Sequence, residues 1–394
     1  MGYHKLFRKK CAVGLFLTFV VGALFSAAVT VYQLPDELTV QGGGNTRLST
    51  LLPVSVDISD EGDRAKAKLF GVVGVKNVSL RREKPRKVLL AGTLFGLRMY
   101  CDGVMVVGLS DFKSHGERVN PAKKSGISRG DVIHSADGMA VSSNEEFAVI
   151  IENAQGEVEI GLTGSDGSRK SVRLTPEYSD ADGCLKTGMW VRDSAAGIGT
   201  LTYIDPETGR FGGLGHGICD ADTHGIIPIQ DGEIYPACIM GVKRGVRGSA
   251  GEIRGYLCGE GIGVLRDNTG YGAFGLYTAE IPALREYETA FKQDVMRGKA
   301  QILCTVTPDS EPKLYDAVIE KINYGGEAAR NMIIRVTDEE LLEETGGIVQ
   351  GMSGSPVIQN GRFVGAVTHV FVNSPSRGYA IFAENMLAQT SRSE

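Results

Sequence analysis

The 394-residue chain has few of the features that mark metal-binding, disulfide-rich or nucleic-acid-binding proteins. It has seven cysteines, but no two of them form a C-x-x-C pair, which argues against a zinc site and against a dense disulfide framework. Most of these cysteines are expected to be small buried hydrophobic residues, although one pair could bridge. The formal net charge of −5 gives no reason to expect nucleic-acid binding. We therefore predict no metal, no other cofactor and no nucleic-acid partner.

A fixed repeat is also absent, which argues against a solenoid. Glycine is abundant instead, with 53 residues, and this favours β-structure with tight turns over a helical bundle. A chain of this length should hold about two domains with a real core. After residue 177 short apolar segments alternate with Gly-rich turns, a pattern that suits a pair of β-barrels.

Charge is missing from residues 11–32, which follow a segment at residues 1–10 that holds four basic residues and no acid. An uncharged, mostly apolar stretch of this length exceeds a signal-peptide core and matches the ~20 residues of a membrane helix. The basic flank should stay in the cytoplasm, which places the rest of the chain outside. Either the segment is an uncleaved anchor, which its length favours, or it is a signal peptide cut near residues 26–28. Both interpretations imply export.

Residues 33–87 have a mixed pattern and are interpreted as a linker or N-terminal extracytoplasmic segment. Residues 41–45 (QGGGN) suggest a flexible spacer. Residues 51–56 and 69–75 have the composition of strands. The basic run at residues 81–87 is interpreted as a solvated linker, with contact to anionic lipid as the alternative.

Residues 88–176 contain the sequence NPAKKSGISRGDVI at positions 120–133, followed by Asp137-Gly138. This resembles the helix-and-turn signature of PDZ domains, which are α+β. Ser143 should cap a helix whose apolar residues flank a groove. By the same resemblance, Leu94, Phe95, Gly96 and Leu97 match the loop that captures a peptide C-terminus, which then adds as a strand. The alternative is a PDZ-like fold whose groove is filled.

The sequence GMSGSP at residues 351–356 places Ser353 between glycines. Because the glycines around Ser353 have no side chains, a scissile carbonyl can approach the serine closely. The N–H groups of Gly351 and Ser353 can then point at one oxyanion. Two short strands joined by a turn at Asn360-Gly361 should follow. The layout resembles the nucleophile motif G-x-S-G-x-P of chymotrypsin-like serine proteases. The alternative is an ordinary hairpin connection.

His216 is the candidate general base, since it lies between Gly215 and Gly217 at the end of a predicted strand pair. In chymotrypsin-like proteases a strand pair of this kind carries the catalytic histidine. The histidine precedes the serine in the chain, and the two must meet in the fold rather than in sequence. His224 and His369 are weaker candidates. By resemblance, the strand that holds His369 would line the substrate groove.

Two aspartates are candidates for the third member of a catalytic triad. Asp220 lies four residues after His216 and either orients the imidazole or caps a turn. Asp338 lies just before a predicted helix at residues 339–345. Its structural alternative is the N-cap of that helix.

Taken together, the apolar N-terminal segment, the PDZ signature and the sequences around His216 and Ser353 resemble the stage IV sporulation protein B peptidases of endospore-forming bacteria. The resemblance implies a PDZ domain followed by a chymotrypsin-like double β-barrel at residues 177–394, a mainly β chain. It implies His216 as base, Ser353 as nucleophile and Asp338 as acid. It also implies a forespore protein exported between the two spore membranes. Such a protein cleaves itself in trans and then cleaves a membrane-bound regulator. The second cleavage releases an intramembrane metalloprotease, which activates a late mother-cell sigma factor.

Two other functions were considered. In one, the chain is a non-catalytic scaffold whose PDZ groove binds a partner. In the other, it is an envelope quality-control protease of the HtrA type. Those proteases usually place the protease domain before the PDZ domain, and the opposite order here counts against that alternative.

Overall fold

The structure is a computed structural model that describes residues 2–308 and 310–390, with side chains for residues 14–308 and 310–389. The protein is mainly β, as predicted. It has an apolar N-terminal helix, a small N-terminal sheet, a PDZ-like unit and two β-barrels.

Helix α1 spans Gly2–Tyr32. Its part from Gly14 to Tyr32 is long and apolar enough to cross a membrane, and side chains such as Leu15, Phe19 and Phe25 are exposed along it. The helix is therefore compatible with either a membrane anchor or a signal sequence.

The segment predicted to be a linker is instead a five-stranded sheet with the order β1-β5-β4-β3-β2. Its strands are β1 (Glu37–Val40), β2 (Gly44–Leu48), β3 (Val54–Ile58), β4 (Arg64–Leu69) and β5 (Val73–Arg82). The strand predicted at residues 69–75 is interrupted, because Phe70 (φ 54°) and Gly71 (φ 76°) reverse the chain between β4 and β5. One face of the sheet shares a hydrophobic core with the second barrel.

The basic run at residues 81–87 does not form a free linker. Arg81 lies 3.8 Å from Glu384 near the chain's C-terminal end, and Lys87 lies 3.0 Å from Glu286. Arg81 ends the N-terminal sheet, whereas Lys87 begins the next strand, so both cations are tied to folded elements.

The middle of the chain forms the PDZ-like unit and the first barrel. Its strands are β6 (Lys87–Leu90), β7 (Leu94–Leu109), β8 (Phe112–Ser114), β9 (Glu117–Val119), β10 (Val132–Ala136), β11 (Met139–Ala140), β12 (Val158–Thr163), β13 (Arg169–Leu174), β14 (Glu177–Tyr178), β15 (Leu185–Lys186), β16 (Met189–Ile204), β17 (Arg210–Gly213), β18 (Ile229–Lys243), β19 (Glu252–Leu257), β20 (Gly263–Thr269), β21 (Gly272–Tyr277) and β22 (Arg285–Glu288). Two helices, α2 (Pro121–Lys124) and α3 (Asn144–Glu152), belong to the PDZ-like unit. Strands β7, β18, β20, β21, β17 and β16 pair in a ring, which closes because β16 also pairs with β7.

Strands β7 and β16 are both 16 residues long and pair along most of their length. The first half of β7 packs in the first barrel through Phe95 and Leu97. Its second half packs in the PDZ-like unit through Val104 and Val106. The predicted PDZ boundary at residue 88 is therefore corrected, because residues 88–101 contribute to the barrel side and the PDZ-like unit begins near residue 104.

The predicted carboxylate-binding loop at Leu94, Phe95, Gly96 and Leu97 is wrong. These residues lie inside β7 and are buried. On one side Leu97 and Gly96 pair with β16, and on the other side they pair with β18. With neighbouring strands on both sides, this segment has no free edge where a peptide could add as a strand.

The second barrel is closed, with the order β23-β24-β25-β28-β27-β26. Its elements are β23 (Gly298–Cys304), β24 (Lys313–Ile322), β25 (Met332–Val336), α4 (Glu339–Thr345), β26 (Pro356–Gln359), β27 (Arg362–Val370), β28 (Arg377–Phe382) and α5 (Ala383–Thr390). A 3₁₀ turn at Lys292–Asp294 leads into it. The predicted hairpin turn at Asn360-Gly361 connects β26 and β27, and both residues have positive φ.

A disulfide joins Cys238 and Cys258, which lie on the ribbon of β18 and β19. The same ribbon supports the serine loop, because the N–H of Ile253 donates to Gln350 O at 2.8 Å and the N–H of Gln350 donates to Gly251 O at 2.9 Å. The bridged pair expected from the cysteine count is thus Cys238–Cys258.

We expect the double substitution Cys238→Ser with Cys258→Ser to lower the free energy of unfolding. The cysteines are 20 residues apart, and releasing a loop of that length costs roughly 3 kcal/mol in the chain-entropy description. Urea unfolding of the oxidised protein measures the change. Cys184→Ser, which removes an unbridged cysteine, is the control. Equal losses in both variants would contradict the prediction.

Candidate active site

Ser353 lies in the loop between α4 and β26, at one wall of a cleft of about 530 Å³ that also exposes His216 and His369. Helix α4 ends at Gly346, whose φ of 75° stops the helix in the left-handed conformation. The Ser353 hydroxyl donates a hydrogen bond to the carbonyl of Thr368 at 2.6 Å. The structure therefore brings the predicted nucleophile and the predicted base, which are distant in sequence, to one cleft.

The serine loop presents two backbone donors next to Ser353. The neighbouring amides are engaged, because Met352 N–H donates to Val349 O and Gly354 N–H donates to Val367 O. Within residues 2–308 and 310–390, no hydrogen bond is made by the N–H of Gly351 or of Ser353. Two unpaired donors beside a serine hydroxyl are the arrangement that an oxyanion hole requires. Gly351 has a φ of 100°, a conformation that glycine adopts readily.

His216 follows β17 after a sharp turn, in which Leu214 (φ 65°) and Gly215 (φ 69°) both have left-handed conformations. Its Nδ1 lies 2.9 Å from Gly217 O, so the assigned tautomer has Nδ1–H as donor and leaves Nε2 free to accept a proton. Burial lowers the pKa of His216, although the bond to Gly217 opposes that effect. The imidazole is therefore neutral, and able to act as a base, at neutral pH.

His369 lies beside His216, with a distance of 4.6 Å between ring centroids and a tilt of 34°. Desolvation, with smaller contributions from the nearby His216 and Arg330, lowers the pKa of His369 to about 4. A neutral His369 ring can pack against His216 without charge repulsion. Sequence analysis placed His369 in the groove but did not identify this ring contact.

Neither candidate acid contacts His216 in the described part of the chain. Asp338 caps α4, because one carboxylate oxygen accepts from Leu341 N–H at 3.1 Å and the other accepts from Asp316 N–H at 3.2 Å. The structure thus shows the capping alternative for Asp338, and the triad geometry expected from the resemblance is not formed. The Gly217 carbonyl accepts from Nδ1–H of His216 and so fixes the histidine tautomer. This partner is a backbone group, so the residue types in the sequence could not predict it.

Asp220 is also committed elsewhere. It is buried, pairs with Arg192, and accepts from the N–H groups of Asp222 (2.9 Å) and Thr223 (2.7 Å). Burial would raise the pKa of Asp220, but the Thr223 and Asp222 hydrogen bonds and the Arg192 charge lower it overall. Asp220 therefore holds the loop that follows His216 rather than the imidazole.

The rest of the cleft is lined mainly by aliphatic side chains. These are Leu97, Ile198, Leu214, Ile218, Ile348, Val349, Val370 and Val372. Within the described residues, the cleft lining includes no Asp, Glu, Lys or Arg. An unpaired charge in such a site would lose its hydration without gaining a partner. The cleft is therefore built for uncharged groups.

A second cleft, of about 400 Å³, lies in the PDZ-like unit between α3 and the start of β16. Phe147 and Ile151 of α3 form one wall, as the sequence predicted for a groove beside this helix. Trp190 lies on the opposite wall and is 67% exposed. The groove predicted beside this helix is therefore present as an open cleft with an exposed aromatic side chain in its lining.

Comparison with known proteins supports an enzymatic site. The PDZ domain of an SdrC-like protein from Listeria monocytogenes is 24% identical, with a TM-score of 0.19 over 23% of this chain and 87% of that chain, and carries no argument at that score. No curated protein matches. The family model described as SpoIVB peptidase S55 matches residues 183–387, which include His216, Ser353, the second barrel and every strand of the first barrel except β7. The chain therefore belongs to the SpoIVB peptidase S55 family and is a serine peptidase.

Proposed function

We propose that Ser353 is the nucleophile and His216 the general base of this peptidase. The observation that carries the proposal is the shared cleft, in which a glycine-flanked serine, two unpaired amide donors and a neutral histidine meet. The roles follow from the chemistry of acyl transfer, since the base must reach the hydroxyl and the donors must face the developing oxyanion.

The reaction would proceed in two stages. The Ser353 hydroxyl turns from Thr368 O towards Nε2 of His216, transfers its proton, and its oxygen bonds to the scissile carbonyl carbon. The amides of Gly351 and Ser353 stabilise the oxyanion, and His216 then gives the proton to the departing amine. In the second stage His216 takes a proton from water, whose oxygen attacks the acyl-enzyme. The carboxylic acid leaves and Ser353 regains its proton.

His216 would act in this scheme without a carboxylate partner. The Gly217 carbonyl holds Nδ1–H, and the His369 ring limits rotation of the imidazole. A backbone carbonyl is a common partner that selects the histidine tautomer. The acid role of Asp338, implied by the family resemblance, is the competing assignment.

The cleft supports a preference for substrates with uncharged, aliphatic side chains next to the scissile bond. Val349 and Val370 line the same cleft as Ser353, and no ionised side chain in the described lining could pair with a charged substrate group. The second cleft, between α3 and β16, would bind a peptide segment of a partner, with Trp190 as an aromatic anchor.

In the cell we propose that the enzyme acts outside the cytoplasm on a membrane-bound regulatory protein and on other copies of itself. The apolar helix α1 and the family match support this assignment. By resemblance to the family, cleavage in the space between the spore membranes would release an intramembrane metalloprotease and activate a late mother-cell sigma factor. A non-catalytic scaffold is the remaining alternative for the PDZ-like unit acting alone.

Ser353→Ala should lower peptide cleavage by roughly 10⁶-fold and abolish labelling by a fluorophosphonate probe, with the fold unchanged. His216→Ala should lose a similar factor, because the two side chains act as one unit. Peptide hydrolysis and mass spectrometry of the labelled protein measure both effects. Self-processing by purified Ser353→Ala protein would refute the nucleophile assignment.

Asp338→Asn separates the two roles proposed for that residue. Asparagine keeps one oxygen to accept from Leu341 N–H and cap α4, but its NH2 group cannot accept from Asp316 N–H, so stability should fall by about 1 kcal/mol. If Asp338 only caps α4, kcat should remain close to wild type. If Asp338 orients His216 during catalysis, kcat should fall by roughly 10⁴-fold with the same small loss of stability. Asp220→Asn, measured in the same way, tests the other carboxylate.

Peptides with Val or Leu before the scissile bond should be cleaved roughly 100-fold better than peptides with Lys or Asp there, because the cleft offers no partner for a buried charge. The ratio of kcat/KM values measures the preference. Val370→Asp, at the cleft wall, should shift the ratio towards the Lys peptide. Equal cleavage of Lys and Val peptides by the wild type would contradict the prediction.

A further inference from the structure

One end of the N-terminal sheet exposes four large apolar side chains. Leu51 is 55% exposed, Phe70 59%, Val72 79% and Val73 58%. Leu51, Phe70 and Val72 lie in two neighbouring loops, and Val73 is the first residue of β5. A hydrogen bond from Phe70 N–H to Pro53 O at 2.8 Å joins the two loops. We call these four side chains the apolar end of the sheet. Contiguous exposed apolar side chains mark interaction sites.

Charge is distributed unevenly along this sheet. The loops at the apolar end, residues 49–53 and 70–72, contain no charged residue. The loop between β3 and β4 at the opposite end contains Asp60, Glu61 and Asp63. The Asp60 carboxylate accepts from Gly43 N–H at 2.9 Å, which places the β1–β2 loop at the acidic end too. The apolar end is therefore the end of the sheet whose loops carry no charge.

The apolar end lies beside the last turns of α1. Leu52 N–H donates to the Thr30 hydroxyl at 3.3 Å, and Thr30 is fully buried by this contact region. Ala27 and Leu52 also pack against the same hydrophobic core. Because Thr30 lies near the end of the apolar span Gly14–Tyr32, the loop with Leu51 and Leu52 is at the level where that span ends.

The turn at Phe70 adds a second observation. Phe70 has a φ of 54°, a left-handed conformation that is unfavourable for a bulky residue and easy for glycine or asparagine. An aromatic side chain nevertheless occupies this position. It is largely exposed and contributes little to the hydrophobic core. Aromatic side chains of this kind are enriched where membrane and water meet.

We propose that the apolar end of the N-terminal sheet lies in the interfacial layer of the same bilayer that α1 enters. The span of α1 is about 28 Å long at 1.5 Å per residue, close to the thickness of a bilayer's hydrocarbon core. Phe70, Val72 and Leu51 would then reach the headgroup and acyl-chain boundary, where apolar side chains of peripheral elements bind. Tyr32, which is 83% exposed at the end of α1, lies at the same level.

This contact would fix the catalytic barrels relative to the membrane. The sheet shares its core with the second barrel, and Thr39 of β1 donates to the Glu384 carboxylate at 2.6 Å. A sheet seated on lipid would therefore hold the barrels at a set height above the surface. The proposed lipid contact is therefore at an uncharged end of the sheet and not at the basic run of residues 81–87. In that run, Arg81 and Lys87 pair with acidic residues.

Depth-dependent quenching tests the proposal. The full chain with Trp190→Phe, which removes its single tryptophan, is reconstituted into vesicles of phosphatidylcholine and phosphatidylglycerol with α1 in the bilayer. A tryptophan is then placed at Phe70→Trp or, as a second site, at Val72→Trp. Lipids brominated near the headgroup end of the acyl chain should quench either probe by at least about 2-fold, with a blue-shifted emission, as expected for an interfacial indole.

Glu61→Trp is the matched control, because it lies at the acidic end of the same sheet, in the loop between β3 and β4. It should remain water-exposed and unquenched in the same vesicles. Far-UV circular dichroism shows that each variant is folded. Emission from Phe70→Trp and Val72→Trp that is as red and as weakly quenched as that of Glu61→Trp would overturn the proposal.

Discussion

The serine loop depends on hydrogen bonds that cross from the first barrel to the second. Thr200 N–H donates to Ser353 O and the Thr200 hydroxyl donates to Gly351 O, both at 2.8 Å. The Thr202 hydroxyl donates to Gly354 O at 2.7 Å. These bonds hold the carbonyls of Gly351, Ser353 and Gly354 in place, and Gly351 and Ser353 line the cleft. The active site is thus an interface, and each barrel alone would lack half of it.

The same strand links the two clefts. Strand β16 begins at the PDZ-like groove, where Trp190 forms one wall, and reaches the serine loop at Thr200. It is paired with β7 along most of this path. The PDZ-like unit is therefore an extension of the first barrel's own strands rather than a separate module on a flexible linker. A peptide bound beside α3 would contact an element that is continuous with the support of Ser353.

The N-terminal sheet gives the catalytic part a defined attachment. It shares a core with the second barrel and bonds to α5 through Thr39 and Glu384. A five-stranded sheet buries enough apolar surface to be ordered, whereas a linker of the same length would not. If the substrate is membrane-bound, as proposed above, such an attachment would limit which bonds come within reach of the cleft.

The amino-acid sequence was sufficient to predict local backbone features such as turns and helix caps. The glycines around Ser353 and His216, the Ser143 cap of α3, the Asp338 cap considered for α4 and the turn at Asn360-Gly361 each follow from the conformations that those residue types permit. The uncharged run at residues 11–32 likewise indicated the apolar helix, because length and polarity alone decide whether a helix can enter a bilayer.

Long-range pairing was decided only by the tertiary structure. Residues 94–97 resemble a peptide-capturing loop, yet they form a strand because β16 and β18 supply partners on both sides. Residues 33–87 are a sheet because β1 pairs in parallel with β5, more than 35 residues later. Asp338 and Asp220 are drawn to backbone amides and to Arg192 rather than to His216. Hydrogen-bond partners distant in sequence leave no local pattern, since the partner is chosen by the packing of the whole chain.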